Sequence, residues 1–288
     1  MSEFVYRQFR KEDMELHFNP GAVVTDRERW TEERARKSAE ARAHFQSRPD
    51  VPYGPSPRQV LDIFPSAATP APVQLFIHGG YWRSGSKDDY SFLASVLAPA
   101  GATAVIMEYD LCPSVSVADI VRQTRAAICW TYRHIAEYGG DPAKIYLCGH
   151  SAGAHLAAMA LAHDWERDSL PKHIIKGAVL ISGVYDLEPV LHIGVKDEIR
   201  LDPETARKNS PALYPPLSTA PLFIAVGGDE PAGWRQMSLD FFSLCRGRGI
   251  DCRYLEVPGV HHFSISALLG DLRSPLGRAM LNQMNLSI

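Results

Sequence analysis

Short apolar segments alternate with longer amphipathic segments along most of the chain. The apolar segments have the composition of buried strands and lie at 60–64, 73–77, 102–107, 144–148, 176–181, 222–226 and 252–257. Segments with helical spacing lie between them, at 88–97, 116–138 and 152–163. This alternation predicts an α/β fold in which a mostly parallel central sheet carries helices on both faces.

The first 54 residues have a different character. Residues 26–45 are charged and rich in helix formers, and Thr25 with Glu28 has the spacing of a capping box. Residues 49–57 contain four prolines, which is typical of a linker. We therefore predict an N-terminal helical extension and linker at 1–54, followed by the main domain at 55–288.

A long insertion separates two of the predicted strands. About 40 residues rich in proline and charge lie between the strands at 176–181 and 222–226, which is too many for a plain connection. We predict a small cap or lid over 183–220, at the carboxyl edge of the sheet. The apolar edge of this insertion, at 190–193, also suits contact with a second copy, so a homodimer stays open.

The composition excludes several classes of function. The chain is 45% hydrophobic and 22% charged, with a net charge of −3, which does not favour nucleic acid or an anionic membrane. It has no apolar run long enough to span a membrane and no apolar signal-peptide core. Five scattered cysteines without a CxxC pair indicate reduced thiols and a cytoplasmic location. No ligand spacing suggests a metal, and we expect no cofactor.

The sequence Gly149-His150-Ser151-Ala152-Gly153 stands between a predicted strand and a predicted helix. In such a turn the small neighbours relieve crowding around a strained central residue. The turn exposes the serine hydroxyl at a helix N-terminus, where developing negative charge is favoured. Ser151 is therefore the candidate nucleophile.

A second motif, His78-Gly79-Gly80-Tyr81-Trp82, follows the strand at 73–77. Two glycines let the backbone approach a bound substrate and direct N–H groups towards it. We predict an oxyanion hole formed by the N–H groups of Gly80, Tyr81 and Ala152. His78 is interpreted as a loop anchor. The predicted substrate pocket includes the side chains of Trp82, His150, Tyr185 and His192.

The candidate acid and base lie later in the chain. The strand at 222–226 ends in Gly227-Gly228-Asp229-Glu230, and the spacing from Gly227 favours Glu230 as the acid, with Asp229 open as the alternative. His262 is the candidate base because it starts the segment that leads into the next helix. The order serine, acid, histidine is that of the α/β-hydrolases.

These motifs resemble the α/β-hydrolase superfamily and, within it, the kynurenine formamidase (arylformamidase) group and its bacterial carboxylesterase relatives. The resemblance covers about residues 55–270. It rests on HGGYW at 78–82, YDLCP at 109–113, GHSAGAHL at 149–156, SGVYDLEP at 182–189 and HF at 262–263. It implies Ser151 as nucleophile, His262 as base, an acid that falls on Glu230, and hydrolysis of a formyl or acetyl group from an amide or ester.

Two substrate classes stay open at this point. One is a carboxylesterase acting on small acyl esters, and the other is an arylformamidase acting on N-formylkynurenine. A third alternative, a non-catalytic binding protein on the same fold, requires a broken triad, whereas candidates for all three positions are present. In the first two cases the partner is a small molecule.

Overall fold

An eight-stranded sheet forms the centre of the molecule in the computed structural model, which describes residues 4–287. Its strands are β3 (Arg48–Pro52), β4 (Val60–Phe64), β5 (Ala71–Ile77), β6 (Thr103–Met107), β7 (Gly140–His150), β8 (Ile175–Ile181), β9 (Leu222–Gly227) and β10 (Cys252–Val257). The order across the sheet is β10-β9-β8-β7-β5-β6-β4-β3. A separate antiparallel pair, β1 (Phe4–Tyr6) and β2 (Phe9–Arg10), precedes it.

The sheet is mostly parallel, as the alternating pattern predicts. The strands from β5 to β10 pair in parallel, while β4 and β3 add an antiparallel edge. The side chains of β5 are buried along its whole length, as expected for a central strand covered on both faces. The predicted α/β fold is confirmed.

Helices cover both faces of the sheet, and the sheet separates two apolar cores. The α-helices are α1 (Met14–Phe18), α2 (Pro20–Val23), α3 (Arg27–His44), α4 (Ala94–Leu97), α5 (Val117–His134), α6 (Ala152–Leu161), α7 (Val195–Ile199), α8 (Pro203–Lys208), α9 (Ala232–Gly247) and α10 (Pro275–Gln283). Short 3₁₀ helices lie at Lys11–Asp13, Lys87–Leu93, Ile135–Tyr138, Trp165–Asp168, Pro189–His192, Pro211–Leu213 and Ile265–Gly270.

The N-terminal helix α3 forms where the charge pattern predicts it, but its cap differs. The residue before the helix is Asp26, which makes no side-chain cap. Its carboxylate instead accepts a hydrogen bond of 3.0 Å from the indole N–H of Trp30. The capping box predicted for Thr25 and Glu28 is therefore wrong, because the helix begins one residue later than predicted. The carboxylate of Asp26 binds Trp30, one turn further along the helix, and does not cap the backbone.

The proline-rich segment predicted as a linker is partly a strand. Residues 48–52 form β3, which pairs antiparallel with β4 at the edge of the sheet. Proline is tolerated there because an edge strand leaves one row of backbone groups unpaired. The N-terminal extension is thus tied to the main sheet, and the division of the chain at residue 54 stays a prediction.

The insertion predicted over 183–220 forms the short helices between β8 and β9. It packs on the N-terminal segment: Tyr6 donates to Asp186 at 2.8 Å, and the N–H of Gly194 donates to Glu15 at 2.5 Å. The apolar side chains at its edge, Val190 and Ile193, are buried within the chain. This edge therefore does not support a homodimer, which stays a prediction.

Residues 4–287 contain neither a helix suited to span a membrane nor a cluster of metal ligands. No helix in this part of the chain combines the length and the apolar character that crossing a membrane requires. Over the same residues, no group of three or more His, Cys, Asp or Glu side chains is placed to hold a metal ion.

Candidate active site

Ser151 occupies a sharp turn between β7 and α6, at the carboxyl edge of the sheet. Its backbone angles are φ 57° and ψ −122°, a conformation that costs non-glycine residues on the order of 1–3 kcal/mol. The N–H of Ser151 donates to the carbonyl of Ile181 on the neighbouring strand at 2.8 Å, which helps to hold the turn. The side chain is buried but lines a cavity.

Three side chains that are distant in the sequence meet at this turn. The Nε2 atom of His262 lies 2.9 Å from the Oγ of Ser151, and its Nδ1 lies 2.7 Å from an oxygen of Glu230. All three side chains are buried. Since the carboxylate can only accept, Nδ1 carries the proton and Nε2 is free to accept the hydroxyl hydrogen of Ser151. The geometry fits a nucleophile, a base and an orienting acid.

The second oxygen of Glu230 is also occupied. It accepts a hydrogen bond of 2.7 Å from the N–H of Gly227 and another from the hydroxyl of Ser182. Asp229, the alternative acid, donates its backbone N–H to the carbonyl of Val260. Both ring nitrogens of His262 are already taken by Glu230 and Ser151, so Asp229 has no place in this arrangement.

Two supporting residues have no assigned role in the sequence analysis. Ser182 follows β8 with φ of 50° and binds Glu230. Trp234 donates its indole N–H to the carbonyl of Ser182 at 2.8 Å, and its ring meets that of His262 edge-on at 5.0 Å. Ser182 belongs to the motif at 182–189, which is the one signal that pointed to it. Trp234 had none.

The loop after β5 lies against Ser151. A Cβ atom placed on Gly79 would lie 2.9 Å from the Cβ of Ser151 and 2.8 Å from the carbonyl oxygen of His150, so only glycine permits this approach. Within residues 4–287, the N–H groups of Gly80 and Tyr81 donate to no backbone or side-chain acceptor. Ala152 is the first residue of α6, so its N–H has no partner in the helix.

The buried side chain of His78 anchors the start of this loop to residues 108 and 109. His78 lies 2.9 Å from Glu108 through Nε2, and its ring stacks on Tyr109 with centroids 4.2 Å apart. Burial raises the pKa of Glu108, but the hydrogen bond from His78 and the charge of Arg58 outweigh it and lower the pKa to about 2. His78 therefore has the anchoring contacts that the sequence analysis expects of it.

His150 is the predicted pocket residue that the structure places in the cavity lining. Its Nε2 donates to the carbonyl of His262 at 2.9 Å, and the two rings lie 4.8 Å apart. Burial, together with His262 and Arg34, lowers the pKa of His150 well below 6.5, so the ring is neutral at pH 7. Its Nδ1 is buried and finds no hydrogen-bond partner in the described residues.

The other three predicted pocket residues lie outside the cavity lining. Trp82 is fully buried beneath the loop, where its indole N–H donates to His155 at 3.2 Å. Tyr185 is also buried and stacks on Phe241 with centroids 4.2 Å apart. His192 lies in the insertion, 3.7 Å from Glu188. These pocket predictions fail because the apolar rings pack into the core and the insertion does not reach the cavity.

A cavity of about 350 Å³ opens beside Ser151. Its walls come from the loop after β5, from Tyr90 and Phe263, and from residues 19–34 of the N-terminal segment. No residue of 183–220 is among them, so the predicted lid does not cover the cavity. The insertion instead supports the N-terminal segment, and this segment forms the wall.

The chain is similar to known hydrolases over most of its length. The α/β hydrolase fold family matches residues 74–265. Kynurenine formamidase of Danio rerio is 33% identical over 98% of this chain and 99% of its own length. Esterase LipQ of Mycobacterium tuberculosis is 31% identical over 76% of this chain and 58% of its own.

The solved structure of an esterase of Pyrobaculum calidifontis superposes with a TM-score of 0.71 at 18% identity, over 96% of this chain and 97% of that one. At this identity the likeness concerns the fold alone. The family match and the relative of nearly full length together carry the assignment. This chain belongs to the α/β hydrolase fold family and is a hydrolase of carboxylic esters or amides.

Proposed function

We propose that Ser151, His262 and Glu230 form a catalytic triad that removes small acyl groups from esters or amides through an acyl-enzyme. The 2.9 Å contact between the Ser151 hydroxyl and His262, in line with the 2.7 Å contact to Glu230, carries the proposal. Nε2 of His262 takes the hydroxyl proton as the oxygen attacks the carbonyl carbon. Glu230 fixes the tautomer and stabilises the imidazolium that forms.

The N–H groups of Gly80, Tyr81 and Ala152 are proposed to bind the oxyanion. Gly80 and Tyr81 line the same cavity as Ser151, and Ala152 follows it in the chain. Among residues 4–287 these N–H groups have no acceptor, so they are available to the negative charge that develops in the transition state. Each such donor is worth roughly 3–4 kcal/mol in other serine hydrolases. The imidazolium then protonates the leaving alcohol or amine, and water activated by His262 releases the acid.

The activities named for the relatives suggest two kinds of leaving group, an alcohol or an aromatic amine. The esterase relative supports a carboxylesterase, in which an alcohol leaves. The formamidase relative matches nearly the full length of both chains, which favours an arylformamidase that converts N-formylkynurenine to kynurenine and formate. The family does not decide between them, because the same triad serves both.

The proposal is tested first at the nucleophile. Ser151→Ala should abolish labelling by a fluorophosphonate probe and reduce turnover of p-nitrophenyl acetate and N-formylkynurenine by at least ~10³-fold. Circular dichroism should show a folded protein. Labelling that persists in this variant contradicts the assignment of Ser151.

Turnover of the two substrates by the native enzyme then separates the candidates. A kcat/KM higher for the formamide assigns the arylformamidase, and one higher for the acetate assigns the carboxylesterase. Inactivity on both, in a protein that the probe still labels, rejects both substrate classes. A protein that is neither labelled nor active supports the remote alternative, a binding protein on the same fold.

A cytoplasmic location also stays a proposal. It is supported by the cysteines, none of which is in a disulfide among the described residues. Fractionation of the cells that make this chain would test it, and recovery from a secreted or membrane fraction would contradict it.

A further inference from the structure

The cavity beside Ser151 contains a buried positive charge that the proposed mechanism does not use. Arg34, on α3, is 9% exposed and lines the cavity together with Ser151 and His262. Most of the charged side chains of this helix face the solvent, as is usual for a surface helix. Arg34 is an exception that the helix directs towards the catalytic groups.

The contacts of Arg34 do not neutralise it. Its terminal nitrogens lie 3.4 Å from the hydroxyl of Ser266 and 3.3 Å from that of Thr31, which are long for hydrogen bonds. Its Cζ lies 5.5 Å from the ring centroid of Tyr90. Nε is buried without a partner, and Arg34 forms no ion pair with any residue in the described part of the chain.

The other arginines of the cavity lining differ from Arg34. Arg83 forms an ion pair with Glu198, and Arg27 is exposed and donates to the carbonyl of Gly21 at 3.3 Å. Asp89 is the acidic side chain in the lining. Among the described residues Asp89 forms no ion pair with Arg34. Burial raises the pKa of Asp89, and the charge of Arg34 opposes this rise.

A buried charge without a counter-ion is unfavourable, and proteins retain one where a ligand completes it. The guanidinium presents a planar fork of donors that matches the two oxygens of a carboxylate. Tyr81, Tyr90 and Phe263 supply aromatic wall to the same cavity. The cavity thus combines a nucleophile, an aromatic lining and an unpaired cation.

We propose that Arg34 binds a carboxylate of the substrate, so that the enzyme selects aryl esters or anilides whose leaving group carries an acid. This inference rests on the proposed function of Ser151. It assigns to the N-terminal segment a specificity-determining residue, and it predicts that neutral esters are poor substrates relative to acids of the same shape.

The test compares substrates that differ in one charge. The substrates are acetate esters of 4-hydroxyphenylacetate, 4-hydroxyphenylpropionate and 4-hydroxyphenylbutyrate, each with its carboxamide, so that the acid sits at three distances from the ester. The native enzyme should prefer the acid by at least ~10-fold in kcat/KM at one or more lengths. Equal rates for acid and carboxamide throughout the series overturn the proposal.

Variants assign the preference to one residue. Arg34→Gln should lower kcat/KM for the preferred acid by ~10- to 100-fold and leave the carboxamide within about twofold, and Arg34→Lys should restore part of the loss. Arg36→Gln, which removes an exposed arginine of the same helix, should change neither substrate. Equal loss on acid and carboxamide in Arg34→Gln indicates a structural role and contradicts the proposal.

Binding measured without turnover separates this inference from the function of Ser151. Calorimetry should show that 4-hydroxyphenylalkanoates of the preferred length bind the native protein at least ~10-fold more tightly than their carboxamides, and that Arg34→Gln removes the difference. If Ser151 is not labelled by the fluorophosphonate but this difference is present, the catalytic proposal fails and the carboxylate site stands. If labelling is normal and the difference is absent, the carboxylate site fails alone.

Discussion

Replacement of Glu230 by glutamine is the most informative single change, because the amide cannot satisfy both of its neighbours. One carboxylate oxygen faces the Nδ1–H of His262 at 2.7 Å. The other accepts from the N–H of Gly227 at 2.7 Å and from the hydroxyl of Ser182. Backbone N–H groups only donate, so the oxygen of the amide must face Gly227 and its NH₂ must face His262.

This orientation reverses the tautomer of the histidine. With an NH₂ group opposite, Nδ1 has to accept a hydrogen bond and so loses its proton to Nε2. Nε2–H then faces Ser151 and cannot take the hydroxyl proton. Flipping the amide would restore the tautomer but leave the buried N–H of Gly227 without an acceptor, which costs about 1–3 kcal/mol of stability.

We therefore expect Glu230→Gln to reduce kcat by ~10⁴-fold, as the corresponding exchange does in another serine hydrolase triad. That factor corresponds to about 5 kcal/mol of transition-state stabilisation. Steady-state hydrolysis of p-nitrophenyl acetate measures the turnover, and the rate of fluorophosphonate labelling measures the reactivity of Ser151. Both should fall, while thermal unfolding should show a folded protein.

The control is Asp229→Asn, which removes a charge from the adjacent residue without touching His262. It should keep kcat within about threefold of the native value, because the side chain of Asp229 is exposed and an exposed charge is worth only ~0–1 kcal/mol. A Glu230→Gln enzyme with more than a tenth of native kcat refutes the tautomer argument. The opposite ranking of the two variants transfers the acid role to Asp229.

Two further predictions concern the parts of the fold that hold the site. Gly153→Ala should prevent formation of a stable folded protein, because its Cβ would lie 2.0 Å from the carbonyl oxygen of Ile77. As the control, Gly247→Ala, whose Cβ would meet nothing within 4 Å, should raise the free energy of unfolding by about 0.5–1 kcal/mol in urea titrations. A soluble, active Gly153→Ala enzyme contradicts the first expectation. Burial lowers the pKa of His155 from 6.5 to about 4, so the unfolded chain takes up the proton at a higher pH than the folded protein does. About 3 kcal/mol of folding stability, fully present above pH 6.5, should therefore be lost as the pH falls to 4. Urea unfolding between pH 7.5 and 4.5 should therefore be less pH-dependent for His155→Gln than for the native protein, and identical slopes would contradict the role of burial.

The sheet and the meeting of its chemical groups are predictable because local patterns determine them. The buried strands are apolar runs, and parallel strands bring their carboxyl ends to one edge. Residues that follow β7, β9 and β10 must then lie close together, which is where Ser151, Glu230 and His262 stand. The capping box of α5, formed by Ser116 and Asp119, is a local pattern of the same kind.

The walls of the cavity are less predictable because they depend on contacts between distant segments. Nothing in the spacing of α3 distinguishes Arg34 from its charged neighbours, and only the packing of the helix against residues 87–93 directs it inwards. Trp82 and Tyr185 are close in the sequence to catalytic motifs but pack into the core. Proximity in the sequence indicates the neighbourhood of a site and does not say on which side of the backbone a ring lies.

The wall of residues 19–34 means that a length of polypeptide outside the catalytic motifs helps to shape the cavity beside Ser151. The proposed nucleophile, base and acid stand at one edge of the sheet, where the strained turn at Ser151 tolerates little change. The N-terminal segment carries none of the three side chains of the proposed triad, so its cavity-facing side chains can change while Ser151, His262 and Glu230 keep their places. Substitutions at these cavity-facing positions are therefore expected to alter the choice of substrate before they alter the chemistry at Ser151.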